Sequence, residues 1–245
     1  MSGRPLRPVI KKRLGTVAAP GAGAASTPGA AAAASDAGIA RRNLLRADAD
    51  FTGAVDAAVA RAARVAGPAL VCRPGCSGCC IGPFPITRLD AWRLREGLAA
   101  LRQADPDRAA RLVERARTAV EALRDGFPGD AGRGLLQGDE EAEDRFLERH
   151  SDLPCPVLDP ATQTCGLYAH RPVSCRTYGP PVRFNGQDLP PCRLCFTTSG
   201  PQQIEAARVE PDKDRLERAI LDRLKRDDGE SRETLIAWAV LETEP

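Results

Sequence analysis

From Phe51 to Ala66 apolar side chains recur at steps of three and four: Phe51, Val55, Ala58, Val59, Ala62 and Val65. This is the stripe of an amphipathic helix, and Gly67-Pro68 stops it. A cysteine-rich loop follows, from Cys72 to Cys80. Thr87 with Asp90 three residues on reads as an N-cap and an acidic first turn. The helix it opens carries Leu89, Trp92, Leu94, Leu98 and Leu101. Asp105-Pro106 predicts a further start, with proline at the first helical position. The stripe there is Leu112, Val113, Ala116, Val120 and Leu123, and Gly126 ends it. A glycine-rich connector over 126–138 leads to a short acidic helix, Glu140 to Arg149. From Asp212 the helical pattern returns in Leu216, Ile220 and Leu224, and Leu235 to Leu241 forms a last short helix.

Between these helices, residues 152–201 hold nine prolines, five cysteines and four glycines. Such a segment is expected to be irregular, with turns and small strands. It has few large apolar side chains, so ordinary core burial cannot hold it. Coordination of a metal can, because ligand bonds supply folding energy directly. The expected fold class is mainly α: helices surrounding an irregular cysteine-rich metal-binding centre. Three regions follow: a tail over 1–45, a cysteine-cluster domain over 46–200 and a helical extension over 201–245.

The tail is a matter of composition. Between Gly15 and Ala40 only Val17, Asp36 and Ile39 fall outside Gly, Ala, Pro, Ser and Thr. A stretch of this kind buries too little apolar surface to offset its ordering entropy and is expected to be disordered. Arg4, Arg7, Lys11, Lys12 and Arg13 precede its first acidic residue. Val17-Ala18-Ala19 followed by Pro20 is too weak for the apolar segment of a secretory signal. An organellar transit peptide fits the composition, but a plain disordered tail is the reading preferred.

Over the whole chain 35 basic residues meet 33 acidic ones, a net charge of +2. That balance, with aromatics at 4%, argues against a nucleic-acid-binding protein. No run of about eighteen apolar residues is present, so a membrane span is not expected. Partners are otherwise undefined, and the expected location is cytoplasmic.

Nine cysteines change the picture most. An odd number excludes a complete set of intramolecular disulfides, and crowded thiols in a chain of this size point to metal, redox chemistry or both. One group is Cys72, Cys76, Cys79 and Cys80; the downstream set is Cys155, Cys165 and Cys175, spaced ten apart, and then Cys192 and Cys195. Cys76–Cys79 and Cys192–Cys195 have the spacing that brings two thiolates to one ion. Neighbouring residues in extended backbone point their side chains to opposite sides. Cys79 and Cys80 can still both ligate, but they more naturally serve different metals, or one ligates and the other packs. Four thiolates saturate one tetrahedral zinc or one iron–sulfur cluster, so nine allow two centres with one left over. Spacing does not tell which cysteines share a centre. Arg73, Arg171, Arg176, Arg183 and Arg193 stand near these thiols in sequence, and Arg171 and Arg176 are the best placed to support an anionic centre. His150 and His170, the two histidines, are unnecessary as ligands beside nine thiols.

The run from Cys72 to Cys80, followed by Cys155-Pro-Val-Leu, Cys165-Gly-Leu-Tyr168, Arg171-Pro172 and Cys175-Arg176, resembles the YkgJ-type cysteine-cluster proteins. So do Cys175-Arg-Thr-Tyr-Gly-Pro-Pro-Val and the closing Cys192-x2-Cys195-Phe. One departure is that three residues, not two, separate Cys72 from Cys76. The resemblance covers about residues 70–200 and implies a zinc- or iron-chelating domain. The metal ligands expected are first Cys76, Cys79, Cys80, Cys155, Cys165 and Cys175, and then Cys72, Cys192 and Cys195. The cofactor it implies is an iron–sulfur cluster or iron, alternatively zinc. Because flagellin lysine N-methylases share the cysteine domain, an iron–sulfur-dependent redox or protein-modifying enzyme is the alternative reading. No nucleophile, general base, phosphate loop or doubly wound nucleotide domain is evident. The carboxylates Glu140, Glu141, Glu143 and Asp144 read as a solvated helix face.

Overall fold

Thr87 caps its helix as its spacing predicts: its Oγ1 accepts from the Asp90 backbone N–H at 3.1 Å, and its own N–H donates to Asp90 Oδ2 at 3.3 Å. This reciprocal pair satisfies two donors that a helix start leaves over. The computed structural model describes residues 30–241 except Asn185. The helix so capped, α2 (Arg88–Ala104), is preceded by α1 (Ala30–Ala66) and followed by α3 (Pro106–Arg124). Asp105 caps α3 by accepting from the Arg108 N–H at 3.0 Å, with Pro106 in the first turn. Asp139 caps α4 (Glu140–Arg149) by accepting from Glu141 and Ala142, both at 3.1 Å. Three glutamates in the first turn of α4 and Arg149 in its last complement the helix dipole.

Downstream come α5 (Val173–Thr177), α6 (Pro201–Ala206), α7 (Leu216–Asp228) and α8 (Ile236–Ala239). The fold is mainly α. Its strands are short: β1 (Pro85–Ile86), β2 (Gly129–Asp130), β3 (Leu135–Leu136), β4 (Leu158–Asp159), β5 (Thr164–Cys165), β6 (Val182–Phe184), β7 (Gln187–Leu189) and β8 (Thr234–Leu235). An antiparallel sheet runs in the order β1-β8-β3-β2, and two hairpins pair β4 with β5 and β6 with β7.

The main core lies among α2, α3 and α8, where Leu94, Leu98, Leu112, Ala116, Ile236 and Ala239 are buried together. A second core joins the end of α3 to α4 through Val120, Leu123, Phe127, Phe146 and Trp238. The segment after residue 200 therefore supplies β8 and α8 to the middle of the fold. In sequence it reads only as a helical extension, because its apolar residues show no partner locally. The first helix also differs from its apolar stripe. The stripe starts at Phe51, but α1 starts at Ala30, in an alanine-rich run with high helix propensity. The rest of the predicted tail, 1–29, lies outside the described residues.

A buried ion network ties three helices. Arg93 on α2 donates from Nε and Nη2 to Asp48 Oδ1 of α1 at 2.8 and 2.6 Å, and from Nη1 to Asp90 at 2.6 Å. Glu217 of α7 lies 3.9 Å from Arg93 Nη2. All four side chains are buried. Burial alone would lower the pKa of Arg93, but Asp90 and Asp48 outweigh it and raise it. Among the described residues no helix is long and apolar enough to cross a membrane.

Candidate metal centre

The loop 72–80 is two successive tight turns, in which the N–H of Cys76 donates to Arg73 O at 3.0 Å and that of Cys80 to Ser77 O at 2.8 Å. Gly75, with φ +87°, takes a left-handed conformation between the first two cysteines. A matching turn closes the other end, where the Cys195 N–H donates to Cys192 O at 2.7 Å. Two backbone bonds bring these turns together. The Cys192 N–H donates to Gly179 O at 3.0 Å, and the Phe196 N–H donates to Ala69 O at 2.8 Å, next to the start of the first loop. Cys72 Sγ and Cys195 Sγ then stand 3.8 Å apart, across 123 residues of sequence. Gly179 makes this possible: a Cβ there would lie 2.8 Å from Cys72 Sγ. Ala66, Phe196 and Ala207 support the group from beneath, packed with Cys195 and Cys192.

The remaining thiols gather on the main core. The Cys155 N–H donates to Cys80 O at 2.9 Å, and the bridge Ile81–Pro154 continues that pairing. The hairpin β4–β5 sets Leu158 opposite Cys165, while the Gly166 N–H donates to Val157 O at 2.7 Å. Cys175 rides on α5, whose first N–H, that of Val173, donates to Asp90 Oδ1 at 3.0 Å. Cys155 belongs to the core of α2, α3 and α8, and Cys80, Cys165 and Cys175 pack against it.

The thiols whose pKa is raised have neighbours that fall largely into two groups. Desolvation pushes Cys72 up to about 12, helped by Cys195, Cys192 and Cys76. Cys192 is raised by burial and by Cys195. In the other group a hydrogen bond with Cys79, then burial, raises Cys80, with Cys155 and Cys175 adding to it. Burial pushes Cys155 up to about 12, with Cys165 and Cys79 adding to it. Burial also raises Cys175 well above the ordinary thiol range, with Cys155, Cys165, Asp90 and Cys79 behind it. Cys165 is raised by burial, against the pull of Arg171 and Arg108. The sets are thus Cys72, Cys76, Cys192 and Cys195, and Cys79, Cys80, Cys155, Cys165 and Cys175. Cys79 also acts on Cys192, so it lies at the seam between them. All nine are free thiols.

Burial and thiol–thiol repulsion favour the neutral form of these thiols, and a cation among them would shift the balance towards thiolate. Among the described residues, no three or more His, Cys, Asp or Glu side chains are arranged to hold an ion as they stand. The sulfurs are grouped but not closed, as suits protonated thiols making S–H···S contacts.

The arginines divide. Arg171 stays near Cys165, its guanidinium 3.6 Å from the centre of the Tyr168 ring. Arg176 is taken up otherwise: it grips Asp56 of α1 at 2.7 Å and donates to the carbonyls of Arg171 and Ala169. It fastens the 169–171 loop to α1. Arg183 joins Asp188, Glu205 and Glu210 at the surface, while Arg73 and Arg193 are exposed. The His170 ring packs on α2, where a Cβ at Gly97 would lie 2.6 Å from its Cγ. The His150 ring packs at a tilt against Phe146, with ring centres 4.7 Å apart.

Nine free thiols from three distant segments, collected in two groups, are a donor set for a thiophilic ion. A family model matches residues 71–195, just over half of the chain, with the description "CxxCxxCC: Putative zinc- or iron-chelating domain". The chain belongs to the CxxCxxCC family. No curated protein and no solved structure matches the chain significantly. The matched span of this CxxCxxCC domain begins one residue before Cys72 and ends on Cys195, the two thiols in contact. Two residues in it carry more than the sequence reveals. Asp90 reads as a helix cap but also fixes α5, and hence Cys175. Gly179 lies in a quoted motif, yet its opposition to Cys72 is a contact across 107 residues that no local signal announces.

Proposed function

We propose that this CxxCxxCC domain holds two inorganic centres. Cys72, Cys76, Cys192 and Cys195 hold a single ion, zinc or iron. The second centre draws on Cys79, Cys80, Cys155, Cys165 and Cys175. The observation that carries the first assignment is the 3.8 Å between Cys72 Sγ and Cys195 Sγ. Four sulfurs at about 2.3 Å from one tetrahedral ion lie about 3.8 Å from each other. In a cubane cluster each thiolate binds a different iron, and the sulfurs stand farther apart. Side-chain rotation of the exposed and half-buried members completes the set, since Cys72 and Cys76 sit in loops rather than in a packed helix.

The second group has five thiols, more than one ion needs, and it lies against the apolar core with Cys155 buried. That excess supports an iron–sulfur cluster there, shielded from solvent, with Arg171 and Arg108 offsetting its negative charge. A bound centre contributes folding energy, and an iron–sulfur centre adds one-electron chemistry. Nine free thiols also support a reducing compartment, the cytoplasm.

The test is elemental. Protein purified without oxygen should contain two centres per chain. Zinc or iron without sulfide accounts for the first, and acid-labile sulfide in proportion to iron accounts for the second. Cobalt loaded into the first group should give the intense visible bands of a tetrahedral thiolate site. Protein that folds natively and takes up no transition metal rejects the reading.

A further inference from the structure

The two thiols that meet at the end of the matched domain differ in access. Cys72 is exposed, whereas Cys195 is 4% exposed and lies under Phe196 and Ala66. Their sulfurs are 3.8 Å apart, with nothing between them. Gly179 leaves the space at Cys72 Sγ clear. Cys192 is also within hydrogen-bonding reach of Cys195, but it is less exposed than Cys72. A small oxidant therefore meets Cys72 first and finds Cys195 behind it.

We propose that Cys72 and Cys195 form a reversible regulatory disulfide, made by exchange with a low-molecular-weight disulfide. Cys72 first gives up its proton to solvent base, and the thiolate so formed attacks one sulfur of that disulfide. The S–S bond of the small molecule breaks, a mixed disulfide forms on Cys72, and the leaving thiolate takes up a proton. Cys195 then loses its proton and attacks the Cys72 sulfur. The second small thiolate leaves and is protonated. Two protein thiols are oxidised to one disulfide, and one small disulfide is reduced to two thiols. The order follows from access alone: the exposed sulfur meets the small disulfide, and the buried one resolves.

The consequence for metal rests on the proposed four-thiol site. Oxidation removes two of its four donors, so the ion is expelled. The new bond also closes a loop over the whole family domain and restrains the metal-free chain. The pair thus reports the thiol–disulfide balance by releasing an ion and locking the ends of the domain. Reduction by a small thiol reverses both.

The experiment uses the full chain, reduced and purified without oxygen, then exposed to oxidised glutathione. Cross-linked peptides are mapped by mass spectrometry without reduction, and released metal is followed with a chromogenic chelator. The expected result is a Cys72–Cys195 cross-link, with one ion released per bond formed and both changes reversed by reduced glutathione. In Cys195→Ser the glutathione adduct should remain on Cys72, and in Cys72→Ser no cross-link to Cys195 should form. A dominant Cys192–Cys195 or Cys72–Cys76 bond, or a stable adduct on Cys72 in the unaltered protein, overturns the proposal. The cross-link appearing in protein that binds no metal supports the redox pair and rejects the ion-binding reading. Bound metal without any cross-link does the reverse.

Discussion

Gly179 faces the thiol of Cys72 so closely that a methyl group in its place would stand 2.8 Å from the sulfur. Its φ of +134° is also one that residues with side chains rarely adopt. Two penalties therefore coincide in Gly179→Ala. The substitution is expected to destabilise the protein by about 1–3 kcal/mol, the range for a residue forced into strained backbone. It should also lower metal content at the first group while leaving the second unchanged. Urea unfolding and metal analysis on the same sample check both.

Arg93 is the one cation in a buried set with Asp48, Asp90 and Glu217. Removing it leaves the charges of Asp48 and Asp90 uncompensated beside the protonated Glu217 in a poorly solvated place. Arg93→Ala is expected to cost about 3–5 kcal/mol, the range for breaking a buried pair. Because Asp90 also holds the N–H of Val173, the loss should reach α5 and reduce metal bound near Cys175. An unchanged urea midpoint would contradict the network's role.

Glu217 gives the protein a predictable response to alkali. Burial, then the charge of Asp90, pushes its carboxyl up to about 8 from 4.5, and its Oε1 has no hydrogen-bond partner. In the unfolded chain the group is ionised above its ordinary value, while in the folded chain it keeps its proton, so folding takes up a proton. Its favourable contribution is complete below about 4.5 and is lost as pH rises towards 8. Glu217→Gln should therefore gain stability relative to the unaltered protein as pH goes from 5 to 8, with little further change at 9. Urea midpoints across that range measure it; parallel pH curves would refute the assignment.

Metal binding should be linked to protons. Cys72 and Cys155 are pushed up to about 12, so near neutral pH each carries a proton that an ion must displace. Affinity is then expected to fall as pH falls, by about tenfold per pH unit for each proton released. Competition with a chelator at two pH values, and proton release in weak buffer, give the count.

Substitution should also sort the cysteines. Cys76→Ser is expected to remove one centre and Cys155→Ser the other. The second should cost more stability, because Cys155 lies in the main core. Cys79→Ser, at the seam, should lower both metal content and stability. Metal per chain and thermal melting distinguish these outcomes; a simultaneous loss of both centres from Cys76→Ser would reject two separate groups.

What could be seen in the sequence was local. Thr87 with Asp90, Asp105 with Pro106, and Glu140 to Arg149 all mark helix limits found in the fold, because caps and first turns depend on neighbours a few residues away. The proposed division of the cysteines into two groups was hidden, because the contacts behind it are backbone bonds such as Cys155 N–H to Cys80 O and Cys192 N–H to Gly179 O. Arg176 shows the same limit. Its position beside Cys175 suggests a partner for sulfur, but its guanidinium goes to Asp56 of a helix more than a hundred residues earlier. The small strands β1, β3 and β8 were equally hidden, for two-residue strands have no periodicity to read.

The meeting of Cys72 with Cys195 has a bearing on biosynthesis. One sulfur emerges from the ribosome early and waits for its counterpart, 123 positions further along the chain. No nascent chain lacking Cys195 can offer the complete four-sulfur set. If the first group holds an ion as proposed, its loading is a late event that follows closure of this long-range contact.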